Sequence, residues 1–164
     1  MNVQKEETVK LPLGDVYVLD YCVNIETKCA ELYRFFGELY ADIPEISSLW
    51  DKTAKEEDNH AEQFKLAVRL KGTGMEGVKS DLSRVMDIVD TLDTYLAKFK
   101  ESNPTPVQAL TFAIQLEEDL SEYHMASIID FADNEQAKLF TCMADNDNGH
   151  VELLQKALKK LTKG

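Results

Sequence analysis

Carboxylate and imidazole side chains occur in this sequence at a spacing that could bind a metal ion. Glu57 precedes His60 by three residues within a long stretch of helical periodicity, so both side chains would project from one face of a helix. A single Glu-x-x-His pair is common on solvent-exposed helices and indicates little by itself. It becomes informative when other parts of the chain supply further carboxylates and imidazoles, because together these groups are ligands for transition metals.

An internal repeat supplies a second pair of this kind. A shift of ninety residues aligns Glu57 with Asp147 and His60 with His150, so the motif returns as Asp-x-x-His. Two of the three histidines in the chain therefore occupy matched positions. His124 is the third, and it aligns with a tyrosine rather than with a ligand. We expect His124 to be a hydrogen-bonded or surface residue.

Each half of the chain also contains a lone glutamate on an apolar helix face. Glu26 and Glu117 align after a shift of ninety-one residues, and Cys22, Cys29 and Tyr33 share the face of Glu26. Burying a carboxylate is unfavourable unless it meets a cation or hydrogen-bond donors. Two such carboxylates facing two more and two imidazoles predict a pair of bound metal ions. Mixed oxygen and nitrogen ligands favour iron or manganese.

The elements that would position these side chains are helices. Capping residues, proline and glycine breaks and three-to-four periodicity predict four long helices and one shorter connecting helix. They are expected at residues 15–41 (A), 45–71 (B), 80–100 (crossover), 106–131 (C) and 135–162 (D). Helices A and B are joined by a tight turn and would be antiparallel. The crossover would return the chain along the bundle, so residues 1–164 are expected to form a single all-α domain.

Composition limits the classes of function. The formal charge of −12 disfavours binding to nucleic acid or to an anionic membrane. No apolar run approaches the roughly 18 residues of a membrane helix, and the lack of an apolar signal core predicts a cytoplasmic location. Cys22, Cys29 and Cys142 form no Cys-x-x-Cys pair. We expect them to be reduced, buried thiols.

With these motifs the chain resembles the ferritin-like di-iron carboxylate proteins, and within them the rubrerythrin group. The resemblance extends over about residues 19–161. It is carried by the run Ala-Ile-Gln-Leu-Glu-Glu-Asp-Leu-Ser-Glu-Tyr at residues 113–123 and by the pairs Glu57-x-x-His60 and Asp147-x-x-His150. It implies a ferritin-like antiparallel four-helix bundle, in which the long crossover between helices B and C contains the short helix.

The resemblance also implies a ligand set and an activity. Glu26 and Glu117 would be terminal ligands. Glu57 and Asp147 would bridge the two metals, and His60 and His150 would each bind one metal. The implied cofactor is two iron ions, for which manganese or zinc can substitute. The implied activity is the reduction of hydrogen peroxide or oxygen, or the oxidation of ferrous iron, in oxidative stress or iron handling.

The same resemblance predicts partners. The two Cys-x-x-Cys pairs of a rubredoxin-like domain are missing from the sequence. Electrons would therefore come from a separate protein such as a rubredoxin. A homodimer is expected because dimers are common among the proteins that the chain resembles.

Two departures from the family pattern leave an alternative open. Asp147 stands where the pattern has the longer Glu, which puts its bridging of two metals in doubt. Leu120 stands where rubrerythrins carry a further glutamate, which weakens the case for peroxidase chemistry. The alternative is a non-enzymatic ferritin-like helical module with a degenerate metal site, acting through protein contacts. A zinc hydrolase is disfavoured because the site has no third histidine and no assigned general base.

Overall fold

The computed structural model describes residues 10–141 and 147–163, except for the side chains of Thr141, Asp147, Asn148 and His150. Helices make up most of these residues, and a short two-stranded antiparallel sheet accompanies them. In chain order the elements are α1 (Leu13–Leu39), α2 (Pro44–Arg69), β1 (Met75–Val78), α3 (Leu82–Ser102), α4 (Pro106–Leu120), a 3-10 turn (Ser121–Tyr123), α5 (Met125–Ile128), β2 (Ile129–Phe131), α6 (Asn134–Thr141) and α7 (Asp147–Lys163).

Local sequence explains where several helices begin and end. Pro44 occupies the first turn of α2, where its fixed φ suits a helix and its missing N–H leaves no intrahelical bond unmade. A capping box starts α4: the Thr105 hydroxyl accepts a hydrogen bond from the Gln108 N–H, and the Gln108 side chain accepts one from the Thr105 N–H. Asn103 ends α3 with a φ of 46°, in the left-handed region that asparagine tolerates.

The main core lies between α1 and α2, which pack along each other. Trp50 of α2 is fully buried, with its ring centroid 5.6 Å from that of Tyr33 and 4.9 Å from that of Phe36 on α1. α3 packs on α1, and α7 packs against both α4 and α2. The Tyr40 hydroxyl donates a hydrogen bond of 2.6 Å to the Pro104 carbonyl, which ties the end of α1 to the segment that begins α4.

The helix predicted over residues 106–131 ends at Leu120, and this is the main correction to the expected fold. The 3-10 turn and α5 follow, and β2 then pairs antiparallel with β1 in the register Met75↔Phe131 and Val78↔Ile129. Strand pairing between distant segments satisfies backbone groups that a continued helix would have bonded locally. It therefore overrides the helical periodicity of the sequence.

The region predicted as one helix over residues 135–162 contains α6 and α7. Residues 142–146, which separate them, lie outside the described part of the chain. None of the helices that the structure describes combines the length and the apolarity needed to cross a membrane.

Candidate metal site

Helices α1 and α2 bring two carboxylates and an imidazole together in the core. Glu26 of α1 and Glu57 and His60 of α2 expose only 5%, 1% and 5% of their surface. His60 Nδ1 lies 3.2 Å from a carboxylate oxygen of Glu57 and 3.5 Å from one of Glu26. Three of the predicted ligands therefore meet at one point, because facing stripes of two long helices present them to each other.

Helix α4 contributes Glu117 to the same region. Its carboxylate is buried and accepts a hydrogen bond from the hydroxyl of Tyr33, which has no exposed surface. A hydrogen bond from a buried tyrosine to a carboxylate restricts the orientation of both groups. The structure thus brings together Glu26, Glu57, His60 and Glu117, four of the six residues that the sequence singled out.

His124 is a member of the site that the sequence repeat did not assign. Its ring packs at 88° to the ring of His60, with centroids 5.7 Å apart. One potential ligand atom from each of Glu26, His60 and His124 lies within 4.8 Å of the other two. His124 was expected to be a hydrogen-bonded or surface residue, and the structure places its ring beside the candidate ligands. Three-to-four periodicity gives no signal for the position of His124, because that position depends on the pairing of β1 with β2.

A small cavity lies beside this cluster. Its volume is about 10 Å³, which is room for one water-sized molecule. Three carboxylates and His124 line it together with apolar and sulfur-bearing neighbours: Ile25, Glu26, Cys29, Glu57, Glu117, Leu120, Tyr123 and His124. Buried oxygen and nitrogen donors therefore surround a space of atomic size.

Asp147 and His150 complete the predicted ligand set, but their side chains lie outside the described part of the structure. Their backbone forms the start of α7. An open pocket of about 550 Å³ is lined by Glu117, Glu118 and Ser121 and by Val151 and Glu152 of α7. The first turns of α7 therefore border the same pocket as Glu117.

Burial and mutual contacts move the pKa values of two carboxyl groups in opposite directions. Burial raises the pKa of Glu57 well above its usual range, and the charge of Glu117 raises it further. Burial also opposes ionisation of Glu26, but hydrogen bonds from His60 and Glu57 and the charges of His60 and His124 hold its pKa below its usual range. The opposite shifts favour a protonated Glu57 that is hydrogen-bonded to the Glu26 carboxylate.

The neighbouring thiol and phenol groups are neutral. Burial raises the pKa of Cys29 well above its usual range, and the charges of Glu57 and Glu117 add to this effect. Burial and the charge of Glu117 do the same to Tyr33. Cys22 and Cys29 are buried free thiols, as predicted, whereas Cys142 lies outside the described residues. Because only a thiolate is a strong nucleophile, neither Cys22 nor Cys29 is a reactive cysteine.

The arrangement is chemically suited to holding a cation. A glutamate and two histidines lie within metal-binding distance of one another, and two further buried carboxylates adjoin them. Mixed imidazole and carboxylate donors are typical of iron and manganese sites. No protein-family model, curated protein or solved structure matches this chain.

Proposed function

We propose that this protein is a metal-dependent oxidoreductase of the ferritin-like type. It would use two iron or manganese ions to reduce hydrogen peroxide or oxygen, or to oxidise ferrous iron. The observation that carries the proposal is the buried cluster of Glu26, Glu57, Glu117 and His60, whose three glutamates line a cavity of atomic size. The choice of iron or manganese follows from the carboxylate and imidazole donors, and the choice of oxidant follows from the resemblance to the ferritin-like proteins.

The charge of the cluster favours a cation as its occupant. Among the buried residues in the described ranges, carboxylates outnumber imidazoles, and no lysine or arginine is buried with them. A buried carboxylate is costly unless a positive charge or a proton compensates it. A divalent metal ion supplies that charge for several carboxylates at once, and oxygen and nitrogen donors with open positions suit iron or manganese.

The packing of the helices supports the bundle that the resemblance implies. α1 packs along α2, α7 packs against α2 and α4, and the hydrogen bond from Tyr33 to Glu117 connects α1 to α4. α3 lies in the crossover between α2 and α4 and packs on α1. We take α1, α2, α4 and α7 as the four helices of a ferritin-like bundle, in which metal ligands project inward from facing helices.

Residues of the chain would hold the metals and control access to them. Glu26 of α1 and His60 of α2 would form the first ligand set. Glu117 of α4 would form the second set with Asp147 and His150 of α7. Glu57 would lie between the two sets. Tyr33 would keep the Glu117 carboxylate oriented through its hydrogen bond. Ile25 and Leu120 border the small cavity and would restrict the entry of water.

The redox chemistry would come from the bound metal. When bound, two ferrous ions supply the two electrons that convert hydrogen peroxide and two protons into two waters. The neutral thiol of Cys29 and the neutral phenol of Tyr33 are not strong reductants in this setting, so a separate electron-donor protein would have to return the electrons. The net negative charge of the chain would favour a donor with a basic docking face.

Anaerobic titration with ferrous iron, followed by hydrogen peroxide, tests the proposal. We expect two iron ions per chain, oxidation of both on addition of peroxide, and consumption of one peroxide per pair. The double variant Glu57→Ala, Glu117→Ala should bind fewer than two iron ions per chain and lose the reaction. Glu118→Ala, which removes an exposed carboxylate next to Glu117, should keep two iron ions and the reaction. One metal or none in the wild type, unchanged in the double variant, would contradict the proposal.

A second candidate is a non-enzymatic helical module with a degenerate site. The observation in its favour is the hydrogen bond between Glu57 and Glu26, because acids that share a proton partly compensate their own burial. In that case the protein would act through contacts with other proteins. The same titration separates the two candidates, because a degenerate site would leave the wild type and the double variant alike in metal content.

A further inference from the structure

We infer that His124 is a metal ligand, and that Glu26, His60 and His124 form a three-ligand site that binds one metal without help from Asp147 or His150. The inference deepens the proposed function and rests on it for the identity of the metal as iron or manganese. It concerns a residue to which neither the sequence repeat nor the resemblance gives a role.

The distances between the potential ligand atoms are the first evidence for this site. Three donor atoms bound to one side of an ion at about 2.1 Å lie about 3.0–3.4 Å apart. The potential ligand atoms of Glu26, His60 and His124 lie within 4.8 Å of one another. Bringing the most distant atoms to that spacing takes a relative movement of at most about 1.8 Å, which side-chain torsions provide.

The end of α4 at Leu120 explains how His124 reaches this position. His124 follows Glu117 by seven residues, so on a continued helix it would stand about 10 Å further along the axis. The 3-10 turn ends that helix, and His124 instead precedes α5 in an extended conformation with a ψ of 149°. The turn thus brings the His124 ring to the His60 ring on α2, where the centroids are 5.7 Å apart.

The surroundings hold His124 in that position. Tyr123 and Met125 on either side are buried, and the His124 carbonyl accepts hydrogen bonds from the N–H groups of Ser127 and Ile128. The Ile128 carbonyl in turn accepts a 2.7 Å hydrogen bond from the Lys79 N–H, next to the β1–β2 pair. A ligand whose backbone is fixed in this way loses little conformational freedom when it binds a metal.

The donor set predicts the kind of metal and the size of its other ligands. Two imidazoles and one carboxylate on one side of an ion leave open positions opposite, an arrangement typical of ferrous sites that react with oxygen. The adjoining cavity has a volume of about 10 Å³, enough for one water-sized molecule. The open positions would therefore accept water, oxygen or peroxide, and they would exclude an organic substrate.

Cobalt(II) is a suitable probe, because its visible absorption reports the number and type of its ligands without turnover. We expect the wild-type protein to bind cobalt anaerobically, with an absorption typical of nitrogen ligation. His124→Ala should weaken the tighter binding event about 100-fold or more and change its spectrum. Ser127→Ala, an exposed substitution on α5, should change neither. Circular dichroism of the His124→Ala and His124→Gln variants would show that both are folded.

The variant Asp147→Ala, His150→Ala completes the experiment. It should keep the tight cobalt site with the wild-type spectrum, because the three-ligand set is intact. Equal cobalt affinity and an unchanged spectrum in His124→Ala would overturn the inference, as would loss of the tight site in the double variant alone. If His124→Ala loses cobalt while the wild-type protein fails to oxidise ferrous iron with peroxide, the inference stands and the proposed oxidoreductase function fails.

Discussion

The two halves of the molecule position their candidate ligands differently, although an internal repeat relates their sequences. In the N-terminal half, α1 and α2 run for 27 and 26 residues without a break. Their candidate ligands, Glu26, Glu57 and His60, are buried where periodicity predicts them. Continuous helices translate sequence spacing directly into spatial position.

The C-terminal half interrupts the corresponding helix. α4 has 15 residues, and the 3-10 turn, α5 and β2 occupy the sequence that was expected to continue it. Glu117 lies before the break and reaches the site as predicted. His124 lies after the break, and the 3-10 turn, not helical spacing, brings it to the site. A repeat in sequence therefore need not give a symmetric site, because the pairing of β1 with β2 changes the path of the chain in one half only.

The largest effect should follow from opening the aromatic core of the N-terminal half. Trp50→Ala should lower the free energy of unfolding by about 3–5 kcal/mol, because the Trp50 ring is fully buried against Tyr33 and Phe36. Urea denaturation measures the change. Tyr17→Ala, on a side chain that is 52% exposed, should stay within about 0.5 kcal/mol of the wild type. A cost below that of an ordinary surface substitution would argue against this packing.

The matching test in the C-terminal half removes a side chain that supports the break. Ile128→Ala should cost about 2–5 kcal/mol, because Ile128 is fully buried at the junction of α5 and β2. It should also weaken cobalt binding about 10-fold, since the support for His124 is loosened. Leu139→Ala, on a side chain that is 56% exposed, is the control. Unchanged cobalt affinity in a destabilised Ile128→Ala protein would show that the packing of Ile128 does not position His124 for metal binding.

A smaller effect should appear in the pH dependence of the metal-free protein. Burial and the charge of Glu117 raise the pKa of Glu57, so above pH 4.5, its ordinary value, the folded state keeps a proton that the unfolded state releases. The associated stability is fully present below that value and is lost as the pH rises through the folded pKa. Glu57→Gln should remove this slope, which is about 1.4 kcal/mol per pH unit for one proton.

The measurement is urea denaturation of both proteins over a pH series with a chelator present. Glu26 does not complicate the window, because its lowered pKa affects stability only at more acidic pH. Parallel pH profiles for wild type and Glu57→Gln would show that Glu57 is ionised in the folded protein.

The smallest effects should come from two glycines, one in each half. Gly149 of α7 has open space where a Cβ would lie, whereas a Cβ at Gly37 of α1 would come 2.9 Å from an Asp51 carboxylate oxygen. Gly149→Ala should therefore stabilise the protein by about 0.5–1 kcal/mol. Gly37→Ala should gain less, since the Asp51 side chain has to move. Thermal unfolding compares them, and an equal gain at both positions would indicate that α1 and α2 are less closely packed than described.

Sequence reasoning worked where structure is local. The proline at the start of α2 and the capping box of α4 involve neighbouring residues, and the buried faces of α1 and α2 follow from three-to-four spacing. The burial of Glu26 and Glu117 was predictable because their helix faces are otherwise apolar.

Sequence reasoning failed where distant segments meet. Helical periodicity places residues 129–131 in a helix and gives no strand at residues 75–78, but the two segments pair as strands. The pairing gives each strand its hydrogen-bond partners, and neither segment contains that information alone. The position of His124 depends on the same pairing, so a method based on periodicity could not assign it.

Anomalous diffraction at the iron edge, from crystals of anaerobically loaded protein, would locate the metal ions. We expect a peak within bonding distance of Glu26, His60 and His124, and a second peak between Glu117 and the start of α7. The first peak should disappear in His124→Ala crystals. An iron peak elsewhere on the surface, or none beside the buried carboxylates at full loading, would show that these residues do not form the metal site.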